Sequence, residues 1–448
     1  MMSKRYLAVV AIGIKHSSYC SSVVSFFDQD PLKIQGRTWQ SFNRFMKAET
    51  ISSILFQPDC KFHSFGFEAE EKYEELKVDN EHKKWYFIKN PTKMLFDSKD
   101  VHRSATILDE TNKPMLAIDV FASAIKYLKD DTMNANGIRM LISMEDIRWV
   151  LPLPDIWDES AKQFIREAAI QSGISDDNLA LCLETEAAST LFKYLPNEHL
   201  YKSSDMEIST FQPGLKYLIL NAGGEFFNVA VLEVLYSGKL RELHKVSGGP
   251  WGCVTVNQEF IDFMKSLIGA EVLIEFREKE QGEYMRMVED FERRILSWKP
   301  ERNSNTNFRI PRELNILYKK INYRDTIVIS PKMSEKVSFR VNASILKVDN
   351  EIVETFFSKT CDTIVKHIIG IFSESRAKDF STILMVGKLS KSTVLQKAIK
   401  QAFPDKAVVV SDSPDSDVLR GAAIFGHDSC STITPSIVKN TCRGYRKF

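Results

Sequence analysis

Residues 215–234 read LKYLILNAGGEFFNVAVLEV: an apolar run, a turn at Gly223 and Gly224, then a second apolar run. The run KYLIL (216–220) and the longer FFNVAVLEVLY (226–236) are strand-like, so the stretch reads as two strands about a tight turn. A double glycine lets a backbone approach a phosphate without a Cβ in the way and offers bare N–H groups to it. The residues placed to handle a phosphate and its metal, however, are Asn221, Glu225, Phe226 and Asn228. Three readings stay open: a phosphate loop, a phosphate loop that has lost its chemistry, and a plain Gly-Gly hairpin.

The same plan occurs once more. KRYLAVVAIGIKHSSYCSSVVSFF (4–27) is again strand, small-residue turn and strand, about 210 residues earlier. Further strand-like runs are ISSILF (51–56), IRMLIS (138–143), RWVLPLP (148–154), DTIVIS (325–330) and TILMVG (382–387). Helical periods lie between them. In DESAKQFIREAAIQSGI (158–174), Ala161, Phe164, Ile165, Ala168 and Ala169 fall on one face, Asp158 is an N-cap and Gly173 a C-terminal glycine. EIVETFFSKTCDTIVKHIIGIF (351–372) and SKSTVLQKAIKQAF (390–403) repeat the pattern. ERNSNTNFRIP (301–311) reads as a surface loop, and EHKKWYFIKNPTK (81–93) as a solvated helix-to-loop segment. Alternating strands and helices predict an α/β fold, and the duplication suggests two similar lobes facing a shared cleft.

Composition narrows the function. The 448 residues are 44% hydrophobic and 27% charged, with a net charge of +1. No overall field draws the chain to nucleic acid or an anionic membrane, so proteins or small molecules are the expected partners. Seven cysteines lack a CxxC pair, which points to reduced thiols in the cytoplasm or nucleus. Eight dispersed histidines form no HxH or HxxxH, so no zinc site is expected. No run approaches the 18 or so apolar residues of a membrane span, and the chain reads as soluble.

A set of ordered stretches then carries a resemblance: FHSFG with the acidic segment after it (62–76), RWVLPLPDIWDESAKQFIREAAIQSGI (148–174), LCLETEAASTLF (181–192), SGGPWGCVTVNQEF (247–260), TILMVGKLSKSTVLQKAI (382–399) and SPDSDVLRGAAIFG (413–426). With KAETISSILFQPDCK (47–61) and KPMLAIDVFASAIKYLKDDTM (113–133), they resemble the heat shock 70 kDa protein 12 branch of the DnaK-type chaperones, in the actin-like ATPase superfamily. The resemblance implies an actin-like ATPase fold with two pseudo-duplicated lobes around a central nucleotide cleft. Lobe I would span 1–207 with an insert at about 30–118, and lobe II 208–428 with an insert at about 249–340. Such chaperones continue into a β-rich peptide-binding domain. The tail 429–448 is expected to be a remnant of the linker to it, unless the gene model is truncated.

Carried over residue by residue, the resemblance implies a degraded site. The family's first turn, AIDFGTTSSGYA, reads AIGIKHSSYCSS (11–22) here: Gly13 stands for the acid that orients metal-bound water, Lys15 for the turn glycine and His16 for a hydroxyl, while Ser17 and Ser18 remain. Lys15 and His16 crowd the approach of a phosphate, although Lys15 brings positive charge. The second turn, VDCGGGTVD, becomes LNAGGEFFN (220–228), which keeps Gly223 and Gly224 but turns both aspartates into Asn221 and Asn228. Asparagine cannot hold Mg2+ by charge. Were Glu225 to face a triphosphate at about 4 Å, the repulsion would be roughly 4 kcal/mol per unit charge at an effective dielectric of 20. Pro152 replaces a threonine that positions the attacking water, and Glu184 retains the acid beside the metal's water shell.

On the adenosine side Gly387 is kept, Lys388 replaces a second glycine, and Leu389 and Lys391 follow. Glu292 matches the acid that meets the ribose, Ile295 falls at the basic position over adenine, and Asp415 matches an acidic turn. Lys93 or Lys89 matches the lysine that reaches the γ-phosphate. The leading reading is a pseudo-ATPase acting as a protein-interaction or regulatory module. It would bind ATP or ADP weakly and without Mg2+, or not at all, with proteins as partners and neither nucleic acid nor membrane. One alternative is a functional ATP-binding chaperone; another is a scaffold whose cleft is filled by its own side chains, such as Phe226 and Leu389.

Overall fold

The computed structural model describes residues 6–14, 19–41, 46–97, 101–135, 137–196, 200–202, 212–299, 305–324, 327, 333–340, 344–372, 379–427 and 433–434. Strands β1 (Ala8–Ile14) and β2 (Tyr19–Phe26) form an antiparallel hairpin. Strands β3 (Ile147–Leu153) and β4 (Leu179–Leu183) join in parallel beyond β1, giving the order β4-β3-β1-β2. In a second sheet, β5 (Lys216–Ala222) and β6 (Phe227–Val234) make the later hairpin, and β7 (Leu240–Gly249) lies antiparallel to β6. Strands β8 (Thr382–Val386) and β9 (Ala407–Ser411) join in parallel beyond β5. The order β9-β8-β5-β6 therefore repeats β4-β3-β1-β2 with the same strand directions.

The helices that matter for the site are α1 (Ala117–Ala135), α2 (Glu159–Gln171), α3 (Glu184–Tyr194), α4 (Cys253–Ile268), α5 (Gln281–Leu296), α6 (Asn350–Phe372) and α7 (Asp417–His427). Helix α2 forms as its pattern predicts. Asp158 Oδ1 accepts from the Ala161 N–H at 2.8 Å, the five apolar residues are buried, and Gly173 takes a left-handed φ of 89° just past the end.

Burial explains why β1 reads AVVAIGI with no polar alternation: both faces are covered. Ala8, Val10 and Ile12 belong to the core under α1 and α2, whereas Val9 and Ala11 meet Ala187 of α3 and Leu419, Ala422 and Ala423 of α7. The other side of the α3/α7 pair meets the second sheet, with Leu191, Phe192 and Ile424 against Ile219, Ala230 and Leu384. Helices α4, α5 and α6 cover the far face of that sheet. The α3/α7 pair thus lies between the sheets and touches both. Its close approach needs Gly421, because a Cβ there would run into the Ala187 carbonyl.

Three local expectations are corrected. IRMLIS does not make a strand: Ile138–Leu141 is a short helix with Ile138 buried and Met140 and Leu141 exposed, so one anchored residue sufficed and no alternating face was needed. ERNSNTNFRIP is not all loop. Asn305–Arg309 pairs with Ile345–Asp349 because Phe308, 1% exposed, anchors it in the core. Within EHKKWYFIKNPTK, Tyr86–Lys89 is a strand paired with Ser53–Phe56, with Phe87 and Ile88 buried. The expected strand 325–330 lies outside the described residues except for Ile327. Among the described residues no helix is long and apolar enough to cross a membrane.

Candidate functional site

A cleft of about 810 Å3, its mouth included, opens where the carboxyl ends of parallel strands from both sheets meet. Gly13 and Ile14 end β1, Pro152 and Pro154 close β3, Glu184 follows β4, Asn221 lies near the end of β5, and Gly387 follows β8. Ligands in open α/β sheets bind at this place, because connections leave the carboxyl ends in diverging directions.

The turn quoted at the outset forms one wall. Asn221 and Asn228 are direct partners across the hairpin, so both side chains rise on the same face. The Gly223 N–H donates to the Phe226 carbonyl at 2.9 Å and closes the turn. Its carbonyls point away from the cleft, into the start of α4. Gly252, Cys253 and Val254 donate to the carbonyls of Glu225, Gly223 and Gly224 at 2.9, 3.2 and 2.8 Å. Those N–H groups are among the free donors that make a helix N-terminus attractive to anions, and here the turn has consumed them. Contact this close requires Gly252, where a Cβ would sit 2.5 Å from the Gly224 oxygen.

The wall where a metal is expected is differently built. The Asn221 amide donates to Glu184 Oε2 at 2.8 Å, so the retained acid is held by the side chain that replaced its partner acid. At Gly13 a Cβ would meet Leu419 Cδ1 at 3.3 Å, and Leu419, 3% exposed, fills the space beside it. Pro152, Pro154, Ile156 and Val418 continue this apolar surface. Among the described residues no three His, Cys, Asp or Glu side chains converge. Glu184 is bonded by the Asn221 amide next to this apolar surface, an arrangement that does not fit Mg2+, which is held through converging carboxylates and ordered waters.

On the adenosine side the expected residues bond to each other. Lys388 pairs with Glu292 Oε1, and Asn257 Nδ2 donates to Glu292 Oε2 at 2.7 Å. Lys391 pairs with Asp415 at 2.7 Å. Lys388 and Asp415 line the cleft, with Glu292 and Lys391 immediately behind them. Gly387, at a φ of 88°, lies against β5, where a Cβ would be 2.5 Å from both the Ala222 carbonyl oxygen and Asn221 Oδ1. Leu389 is 1% exposed and belongs to the core of the second sheet rather than to the cleft, as does Ile295. Phe226 lines the cleft as expected of a filler, but Leu389 does not. Lys89 pairs with Glu70 at 3.5 Å away from the cleft lining, and Lys93 is exposed. Lys15, His16, Ser17 and Ser18 lie outside the described residues.

Two carboxyls with raised pKa values flank the site. Asp155 accepts from the Thr185 N–H at 3.2 Å and from the Thr185 hydroxyl, capping α3, and burial pushes it up to about 6 against those bonds. Asp417, fully buried at the start of α7, is bonded by Ser411 Oγ, with Arg420 3.8 Å away. Burial pushes this group up to about 7. Asn257, Asp417 and Leu419 were not singled out in the sequence. The signal for Asn257 is a polar residue on the apolar stripe of GCVTVNQEF, where Val256 and Phe260 are buried.

No family model matches the chain. Curated relatives do. Mouse heat shock 70 kDa protein 12A is 27% identical over 488 aligned positions that cover 97% of this chain and 70% of the relative. The human 12A protein is 26% identical with the same coverage, and human 12B is 24% identical over 93% of this chain and 68% of the relative. The resemblance to the heat shock 70 kDa protein 12 branch therefore extends over nearly the whole chain. Such homology implies an actin-like ATPase fold, and the mixed α/β architecture agrees with it.

Proposed function

We propose that the chain is a chaperone-family, actin-fold nucleotide-binding-domain protein with a degraded phosphate and metal site, a pseudo-ATPase that acts as a protein-interaction or regulatory module. In this reading the two sheets are the centres of lobes 1–207 and 208–428, and the cleft descends from a nucleotide site. The observation that supports it is the Asn221–Glu184 hydrogen bond, in which an amide occupies the retained acid, with the Leu419 side chain packed beside Gly13. Phosphoryl transfer depends on positioning and electrostatics, and each tenfold of rate corresponds to about 1.4 kcal/mol of lost stabilisation. ATP or ADP then binds weakly and without Mg2+. The described cysteines are free thiols, which supports a place in the cytoplasm or nucleus with proteins as partners.

A second reading, a scaffold that binds no nucleotide, is favoured by the Lys388–Glu292–Asn257 network at the adenosine side. Calorimetric titration of ATP and ADP into the full chain, with and without Mg2+, separates the readings. Weak binding that ignores Mg2+ supports the proposal, and no binding supports the scaffold. Micromolar, Mg2+-dependent binding overturns both and leaves a functional ATP-binding chaperone.

A further inference from the structure

Beside the Gly223–Phe226 turn but outside the cleft lining, two imidazoles meet on one hydroxyl. His244 Nε2 lies 3.1 Å from Ser247 Oγ, and His367 Nε2 lies 2.9 Å from the same atom. His244 and Ser247 belong to β7 and His367 to α6, so the hydroxyl joins strand to helix. Register puts both strand residues on the face toward α6: His244 is opposite Val231 and Ser247 opposite Val229, and both valines lie in the core that α6 covers. The His367 ring stands edge-on to Trp251, with centroids 5.2 Å apart, and to Phe227 at 6.0 Å. Phe227 follows the turn directly. Trp251 directly precedes the N–H groups of Gly252, Cys253 and Val254 that bind the turn's carbonyls.

A serine hydroxyl has one hydrogen to give and can accept others. Two neutral rings satisfy it, one accepting its hydrogen and the other donating an N–H to it. Once the accepting ring takes a proton, both rings donate to one oxygen and the hydroxyl hydrogen loses its acceptor. Burial holds His367 below its ordinary value near 6.5, and the neighbouring His244 lowers it further. The packed elements do not offset that charge. The β6 residues on this face are apolar, and α4 presents Cys253, whose thiol burial pushes up. One turn away on α6, Thr363, Ile364, Gly370 and Ile371 do not titrate, and the Lys359–Glu259 pair to α4 is two turns away. Glu242 is opposite Leu232, on the other face of the sheet, while Lys245, Asp362 and Lys366 are exposed to solvent.

We infer that the His244–Ser247–His367 cluster is a proton-operated joint: acidification puts two donors on Ser247, parts α6 from β7 and loosens the Trp251 segment that fastens the Gly223–Phe226 turn. The cleft wall is then firm at neutral pH and loose below the ordinary histidine range. Because His367 binds its proton more weakly in the folded chain than in the unfolded one, the stability it contributes is present above about pH 6.5 and is lost as pH falls through its lower folded value. The joint makes no use of a nucleotide, so it goes beyond the functional reading above and stands apart from it.

The test is tryptophan emission from the full chain titrated from about pH 8 to about pH 5, with Trp251→Phe in parallel so that the difference is the Trp251 signal. A protonated imidazole quenches an adjacent indole, so this signal is expected to fall in one step centred below about pH 6.5. His367→Gln keeps a hydrogen-bonding end for Ser247 and cannot ionise, and it should abolish the step. His244→Gln removes the neighbouring charge and should move the midpoint up. Hydrogen exchange in a peptide spanning Gly252–Val254, corrected for its intrinsic pH dependence, should be severalfold faster at the acid end in the parent and unchanged in His367→Gln. A flat difference signal, a step that survives in His367→Gln, or exchange that ignores pH overturns the inference. If His367→Gln does not fold, a midpoint unmoved in His244→Gln overturns it instead.

Discussion

The two hairpins share a topology and differ in chemistry. β1-β2 and β5-β6 each open a sheet of the same strand order, and both send their first strand's carboxyl end into one cleft. At the first, Gly13 sits against Leu419 with Pro152 alongside, an apolar surface. At the second, Asn221, Asn228 and Glu225 keep a polar surface without the paired acids. Strand order follows from which faces are buried, and that constraint runs the length of each strand. Site chemistry rests on one or two residues per strand end, which can change while the sheet stays intact.

The largest effect is expected from breaking what the two sheets share. Gly421→Ala puts a Cβ into the Ala187 carbonyl between α7 and α3, where neither backbone can yield without disturbing both sheets. A loss of about 2–4 kcal/mol is expected in a denaturant titration. Gly137→Ala is the control for position, since nothing lies within 4 Å there, although its φ of 62° carries its own smaller strain.

Next in size is Asn221→Asp, which sharpens the difference between the hairpins. It removes the donor to Glu184 and sets a second carboxylate about where the amide stands, 2.8 Å from Glu184 Oε2. Two carboxylates so close cannot both ionise cheaply. The variant should lose about 2 kcal/mol at pH 8, less at pH 5, and thermal melts at the two pH values check it. Recovery by millimolar Mg2+ would mean that one exchange restores metal affinity, against the proposal.

Lys388→Ala tests the adenosine side. It leaves Glu292, with a side chain 14% exposed, bonded to Asn257 without its cation. A cost of about 1–2 kcal/mol is expected, and Glu292→Gln in the same chain should recover part of it. If nucleoside binding appears in the double variant, the internal ion pair had been occupying that position.

A pH dependence at the centre is comparable in size to the Lys388→Ala effect. Asp417 is raised from an ordinary value near 3.8 to about 7 by burial, so the folded state holds its proton where the unfolded chain has released it. The stability it contributes is fully present below about pH 4 and is lost as pH rises through 7. Asp417→Asn keeps an acceptor for Ser411 and cannot ionise. Relative to the parent, its melting temperature should be unchanged near pH 4 and higher at pH 8, by the equivalent of about 1–2 kcal/mol after discounting Arg420.

Much of the fold was legible because its signals are local. The N-cap at Asp158, the stripe of α2 and the strand–Gly-Gly–strand stretch each contain their own cause within a few residues. IRMLIS misled because an apolar run reads alike in a strand and in a short helix, and only the neighbours decide which residue is buried. Asn305–Arg309 was missed because its single anchor, Phe308, takes its meaning from a core built by distant segments. The site was legible as positions: the residues at 13, 152, 184, 221, 223, 224, 228, 387 and 415 do line one cleft. Their relations were not legible, since Glu184 and Asn221 are 37 residues apart and Lys388 and Glu292 nearly a hundred.

By itself the amino-acid sequence determined the alternation of strands and helices and the repeated hairpin, which are properties of residue type and near spacing, and its resemblance to a family implied the exchange of acids for amides. Only the tertiary structure decided what those exchanges do. It set the Asn221 amide on Glu184, turned the Gly223–Glu225 carbonyls into the start of α4 and placed Leu419 beside Gly13. The physical reason is that a hydrogen bond or a filled volume depends on atoms a few ångströms apart in space, and the chain brings those atoms together only when both sheets close on the helices between them.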